Sequence, residues 1–165
     1  MIAGNIRKER ESMEYRYATI DDMNLLIQSR MDTLRDVNSL DADYQFSEEF
    51  LEASREYFRE GDQSTVLAIQ NDRAVGCATM CYIDLMPTYA HPSGRRAHLM
   101  NVWTNRDYRR QGIAEKLVTM LIEEARARGV SEISLDTTEA GRPFYRKMGF
   151  AESGENMVLA MRSIE

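Results

Sequence analysis

The chain has 165 residues with 43% apolar and 29% charged positions, the balance of one globular domain and not of a disordered tail. A net charge of −6 disfavours a nucleic-acid partner, and no apolar run approaches the roughly 18 residues that cross a bilayer. The polar, charged stretch from Met1 to Met13 has no apolar signal region, so it is expected to be a flexible leader to a domain at 14–165, with a cytoplasmic address.

Tyr15–Ala18 predicts a short strand, and Thr19 with Asp22 three residues on resembles a capping box. The helix that follows runs to about Asp36, with Met23, Leu26, Ile27, Met31 and Leu34 on one face. After a polar turn at 38–44, Ser47 caps a second helix carrying Phe50, Leu51, Tyr57 and Phe58, and Gly61 ends it. Thr65–Gln70 and Ala74–Asp84 are β-branched or apolar runs about the turn Asn71-Asp72-Arg73, and together predict a hairpin.

Cys77 and Cys81 lie on one face of that second strand with Thr79, roughly 13 Å apart, too far for a disulfide. They are expected to be buried thiols. No metal is expected, because no histidine lies near them in sequence. Leu85–Arg96, with two prolines and a Ser-Gly pair, is a long loop, and Ala97–Thr104 is the next strand.

A charged loop at 105–110 leads to a long amphipathic helix from Gln111 to Arg128, with Ile113, Ala114, Leu117, Leu121 and Ala125 as its stripe. Gly129 follows at the position that terminates helices. Ser131–Asp136 predicts a strand, Ala140–Met148 a short helix closed by Gly149, and Asn156–Arg162 a last strand.

The segment Arg109-Arg110-Gln111-Gly112-Ile113-Ala114 stands between a strand and a helix. Free N–H groups and the positive dipole end make a helix start an anion site, and Gly112 lets a phosphate approach without a Cβ in the way. Small Ala114 lets the helix pack close. Arginines that merely solvate a helix start are the plain alternative, although cations there oppose the dipole. The segment is neither a P-loop nor a G-x-G-x-x-G turn.

Arg109-x-x-Gly112-x-Ala114 resembles the R/Q-x-x-G-x-G/A signature of the GNAT N-acetyltransferase superfamily. Leu99–Thr104 before it resembles that family's strand beside the cofactor. Gly141–Phe150 after it is similar to the family's closing Y-x-x-x-G-F segment, and Tyr15–Asp22 to its opening strand and cap. The resemblance implies an α/β domain with a twisted, mostly antiparallel mixed sheet, helices on both faces and a splayed parallel strand pair. It also implies acetyl-CoA as cosubstrate, with no metal. Arg109, Arg110, Gln111, Gly112, Ile113 and Ala114 would hold its pyrophosphate, and the main chain of Val102, Trp103 and Thr104 its pantetheine arm. Thr138 and Gly141 fall where the family often has an Asn and a small residue against the cofactor. Tyr145 takes the place of the general acid that protonates the departing thiolate.

The acceptor implied is a primary amine, on a small molecule or a peptide, attacking directly in a ternary complex. A general base is open among Asp84, His91, His98 and Glu139. Met31, Tyr44, Met86 and Tyr89 are candidates to line the acceptor pocket, and Arg95 and Arg96 to favour an anionic acceptor or to help hold CoA. A non-catalytic acyl-CoA-binding sensor is the rival reading, and a homodimer is left open.

Overall fold

The structure, a computed structural model, describes residues 12–161. The expected leader therefore lies almost wholly outside the described residues. Along the chain run β1 (Glu14–Tyr17), a 3-10 turn, α1 (Met23–Val37), α2 (Glu48–Glu60), β2 (Gln63–Gln70), β3 (Arg73–Asp84) and β4 (Arg95–Thr104). A second 3-10 turn (Arg106–Tyr108), α3 (Ile113–Ala127), β5 (Glu132–Leu135) and α4 (Arg142–Lys147) follow.

The five strands form one sheet in the order β1-β2-β3-β4-β5, antiparallel except for the parallel pair β4–β5. The period-2 rule divides its faces. Val66, Ala68, Ala78, Met80, Ala97 and Leu99 pack under the α3 stripe of Ile113, Leu117, Val118, Leu121 and Ala125. Leu67, Ile69, Cys77 and Trp103 point the other way, onto Leu26 of α1. Gly76 matters here because a Cβ would come within 2.8 Å of Ile113 Cγ2, so its absence lets the start of α3 seat on β3. The hairpin turn forms as expected, with Asn71 (φ 52) and Asp72 (φ 58) both left-handed, as a two-residue type I′ connection requires.

Thr19 and Asp22 act as the sequence suggests, with the Asp22 carboxylate accepting the Thr19 N–H at 2.7 Å. The same carboxylate, only 9% exposed, takes a two-pronged contact from Arg16 at 2.6 and 2.8 Å. Arg16 beside it holds its pKa down, from 3.8 to about 2. A depressed carboxylate stabilises the fold above its unfolded pKa and loses that contribution as pH falls through its folded value. Asp22→Asn is therefore expected to cost about 1–3 kcal/mol at pH 7. In denaturant titrations the gap between variant and parent should close as pH falls from about 4 to about 2.

The last expected strand is a correction. Asn156–Met161 has no regular structure, and Arg162 lies outside the described residues. The apolar composition is that of a strand, but a strand needs a ladder partner, and this segment has none among the described residues. Met157, Val158, Leu159 and Met161 are 83–100% exposed.

Candidate active site

β4 and β5 pair from Arg96↔Glu132 to Leu99↔Leu135 and then part. Beyond that point Met100–Thr104 continues against β3 alone, leaving its other main-chain edge without a strand among the described residues. Val102, Trp103 and Thr104 lie on this free stretch. The Trp103 side chain is core, as its plain reading holds, and the Thr104 carbonyl already accepts from Arg109 Nε at 3.2 Å. The Thr104 hydroxyl is buried without a partner, the kind of orphan that a bound group satisfies.

A bulge shapes the same stretch. From Cys77↔Trp103 to Thr79↔Met100, two steps on β3 oppose three on β4, and the extra residue bends the strand. Asn101 takes the strain at φ 59. Its carbonyl accepts from Cys77 Sγ at 3.2 Å, its amide donates to Thr79 Oγ1 at 3.3 Å, and its Oδ1 accepts from Arg30 at 3.2 Å. Burial pushes the Cys77 thiol up to about 11, which keeps it a neutral hydrogen-bonding group.

The loop into α3 has the geometry of an anion cradle. Arg110 (φ 61) and Gly112 (φ 77) are left-handed, and alternating turns of this kind aim successive N–H groups to one side. The first bond into the helix runs from Lys116 N–H to the Gly112 carbonyl, so the N–H groups just before it have no helical acceptor. A Cβ at Gly112 would meet nothing within 4 Å, which leaves open space in front of Ile113 and Ala114. Arg109 serves differently from its neighbour. Its guanidinium contacts Asp36 at 3.0 Å, Arg106 reaches the same carboxylate at 3.5 Å, and Trp103 Nε1 donates to it at 2.8 Å. Asp36 on α1 thus braces the loop, while Arg110 has no ion-pair partner among the described residues.

Tyr145 on α4 is half-buried between Phe144 and Phe150, in edge contacts with centroids at 5.0 and 5.8 Å. Burial raises its pKa, and among the described residues its hydroxyl has no hydrogen-bond partner. Gly141 has no room for a Cβ, which would fall 2.5 Å from Thr137 Oγ1. Thr138 takes the Gly141 N–H on its hydroxyl at 3.3 Å, a capping contact at the entry to α4.

Of the base candidates, His98 alone stands where the parallel strands part. Its Nδ1 lies 2.7 Å from Ser134 Oγ and its Nε2 3.6 Å from Asp136. His91 is tied to Ser131 and Glu132 at the other end of β5, Asp84 ends β3 beside Arg95, and Glu139 pairs with Arg142. On the α1–α2 face a pocket of about 390 Å³ opens beside the bulge, lined by Arg30, Phe50, Tyr57, Phe58, Met100 and Asn101 among others. Met31, Tyr44, Met86 and Tyr89 are not in its wall, and Arg96 pairs with Glu132. Arg30, Asp36 and Asn101 have no sequence signal of their own, apart from an amide within an apolar strand.

Among the described residues no group of His, Cys, Asp and Glu could hold a metal, and no helix is long and apolar enough to cross a membrane. The acetyltransferase (GNAT) family model matches residues 31–150. A glucosamine 6-phosphate N-acetyltransferase of Trypanosoma brucei brucei is 30% identical over 53% of this chain and 57% of its own length. An N-alpha-acetyltransferase 30 of Schizosaccharomyces pombe is 30% identical over 58% of this chain and 63% of its own. The chain thus spans somewhat over half the length of these two relatives. The structure of a predicted acetyltransferase from Clostridium acetobutylicum with acetyl-CoA superposes at TM-score 0.79 with 28% identity, covering 91% of this chain and 97% of that one. With the family model covering most of the chain, the chain belongs to the GNAT acetyltransferase family.

Proposed function

We propose that the chain transfers acetyl from acetyl-CoA to a primary amine by direct attack in a ternary complex. The parting of β4 from β5 beyond Leu99↔Leu135 carries this reading, because it frees main-chain groups next to the open start of α3. The N–H groups around Gly112, with Arg110, hold the pyrophosphate. The free edge of Val102–Thr104 takes the pantetheine amides as a further strand would, and orients the thioester.

A C–N bond forms and a C–S bond breaks, so the amine must lose a proton and the thiolate gain one. Tyr145 supplies the second proton, and a phenol kept neutral by burial is in the right form to do so. His98, at the point where β4 and β5 part, takes the first. His98→Gln is expected to lower kcat by about 100-fold with acetyl-CoA affinity unchanged, as read by steady-state and binding measurements.

Thermal melting with and without CoA tests binding. Ligand at 100 times its Kd stabilises by about 2.7 kcal/mol, worth roughly 5–10 °C for a chain of this size. Thiol release with an amine panel then separates an enzyme from an acyl-CoA sensor. Binding without turnover on any amine would favour the sensor.

A further inference from the structure

The pocket beside the bulge holds one cation, Arg30, in a largely apolar wall of Phe50, Tyr57, Phe58 and Met100, where the Ser54 and Thr79 hydroxyls are already hydrogen-bonded within the protein. Arg30 is half-buried and has no carboxylate partner among the described residues. Among the described residues its one side-chain hydrogen bond goes to a neutral amide oxygen, Asn101 Oδ1 at 3.2 Å. A guanidinium carries five donors, and leaving its charge without a counter-ion away from water is unfavourable. Other arginines of the molecule are paired, among them Arg16, Arg35, Arg55, Arg96 and Arg142.

Resting on the acetyl-transfer reading, we propose that the acceptor is a free amino acid with an apolar or aromatic side chain, its carboxylate held by Arg30. A carboxylate matches the guanidinium fork with two parallel hydrogen bonds. The amine of an α-amino acid is one carbon from that carboxylate, and the Arg30–Asn101 contact places this end of the ligand at the bulge, where β4 leaves β5. The side chain then lies among Phe50, Tyr57 and Phe58. A sugar phosphate would leave most of its hydroxyls against that largely apolar wall, and a peptide N-terminus would bring no carboxylate to Arg30.

The test uses the full chain with acetyl-CoA, read by thiol release. Acceptors are phenylalanine, methionine, phenylalanine amide, a Phe-initiated tetrapeptide and glucosamine 6-phosphate. Phenylalanine and methionine should be acetylated, with kcat/KM at least about 100-fold above the amide, the order of effect for losing one partner of a desolvated charge pair. Arg30→Gln should lose at least about tenfold more with phenylalanine than with the amide. Equal rates for acid and amide, equal losses on both in the variant, or turnover only of the peptide or the sugar phosphate would overturn the proposal. Should Arg30→Gln not fold, the acid–amide comparison on the parent decides it. A chain that gives no melting shift with CoA, or that binds CoA and turns over no amine, fails at the acetyl-transfer reading itself, whereas turnover of another amine but of no amino acid fails only here.

Discussion

Gly112→Asp is expected to weaken acetyl-CoA binding by about 100-fold or more, the effect of setting a like charge against phosphates at close range. The native residue has φ 77 and open space where a side chain would start, at the first N–H groups of α3. Any L-residue there takes on left-handed strain of about 1–2 kcal/mol, so a loss of affinity in one variant would be ambiguous. Gly112→Asn resolves it. Asn and Asp have the same shape, and both adopt left-handed conformations more readily than other side chains. The two variants should therefore show similar drops in melting temperature, while the Asn variant stays within about tenfold of the parent in CoA affinity by calorimetry. Equal affinities for Asp and Asn would show that the open helix start does not face phosphate, and the cleft would need another anchor.

The elements legible in the sequence are those fixed by local periodicity or turn chemistry. The stripe Ile113, Leu117, Leu121 and Ala125 is fully buried on the sheet, and Asn71-Asp72 makes the hairpin turn. The opening cap is visible in Thr19 and Asp22, but the Arg16 contact that strengthens it is not. What escapes is non-local. Arg109 reads as a phosphate ligand from its neighbours, yet it spans to Asp36, 73 positions away, and braces the loop. Nothing around Arg30 distinguishes it from a solvated helix arginine. Only the approach of α2 and β4 walls it in. The bulge at Asn101 has no glycine to announce it, since its strain is held by contacts from Arg30, Cys77 and Thr79. The C-terminal segment has the composition of a strand and no ladder partner among the described residues, and composition alone does not supply one.

Tyr145→Phe is expected to lower kcat by about 10²–10⁴-fold with acetyl-CoA affinity little changed, the usual worth of a positioned general acid. The substitution keeps the ring, and with it the edge contacts to Phe144 and Phe150, so α4 should stay in place. It removes a hydroxyl that has no partner among the described residues, so no hydrogen bond within the fold is lost and stability should move by less than about 1 kcal/mol. The raised pKa of the phenol sharpens the expectation. Burial disfavours the phenolate, so the acid remains protonated beyond the ordinary tyrosine range, and its loss should not appear as a falling rate near neutral pH. The parent should keep its activity on the alkaline side until pH passes the ordinary tyrosine value of 10.0. In the Phe variant that tyrosine-dependent limb should vanish along with most of the rate. Because product release can mask chemistry in kcat, the comparison belongs in single-turnover measurements with an accepted amine. Unchanged single-turnover rates would remove Tyr145 from proton transfer and leave the thiolate to be protonated by water. A loss shared equally by rate and CoA affinity would instead make its hydroxyl a binding contact.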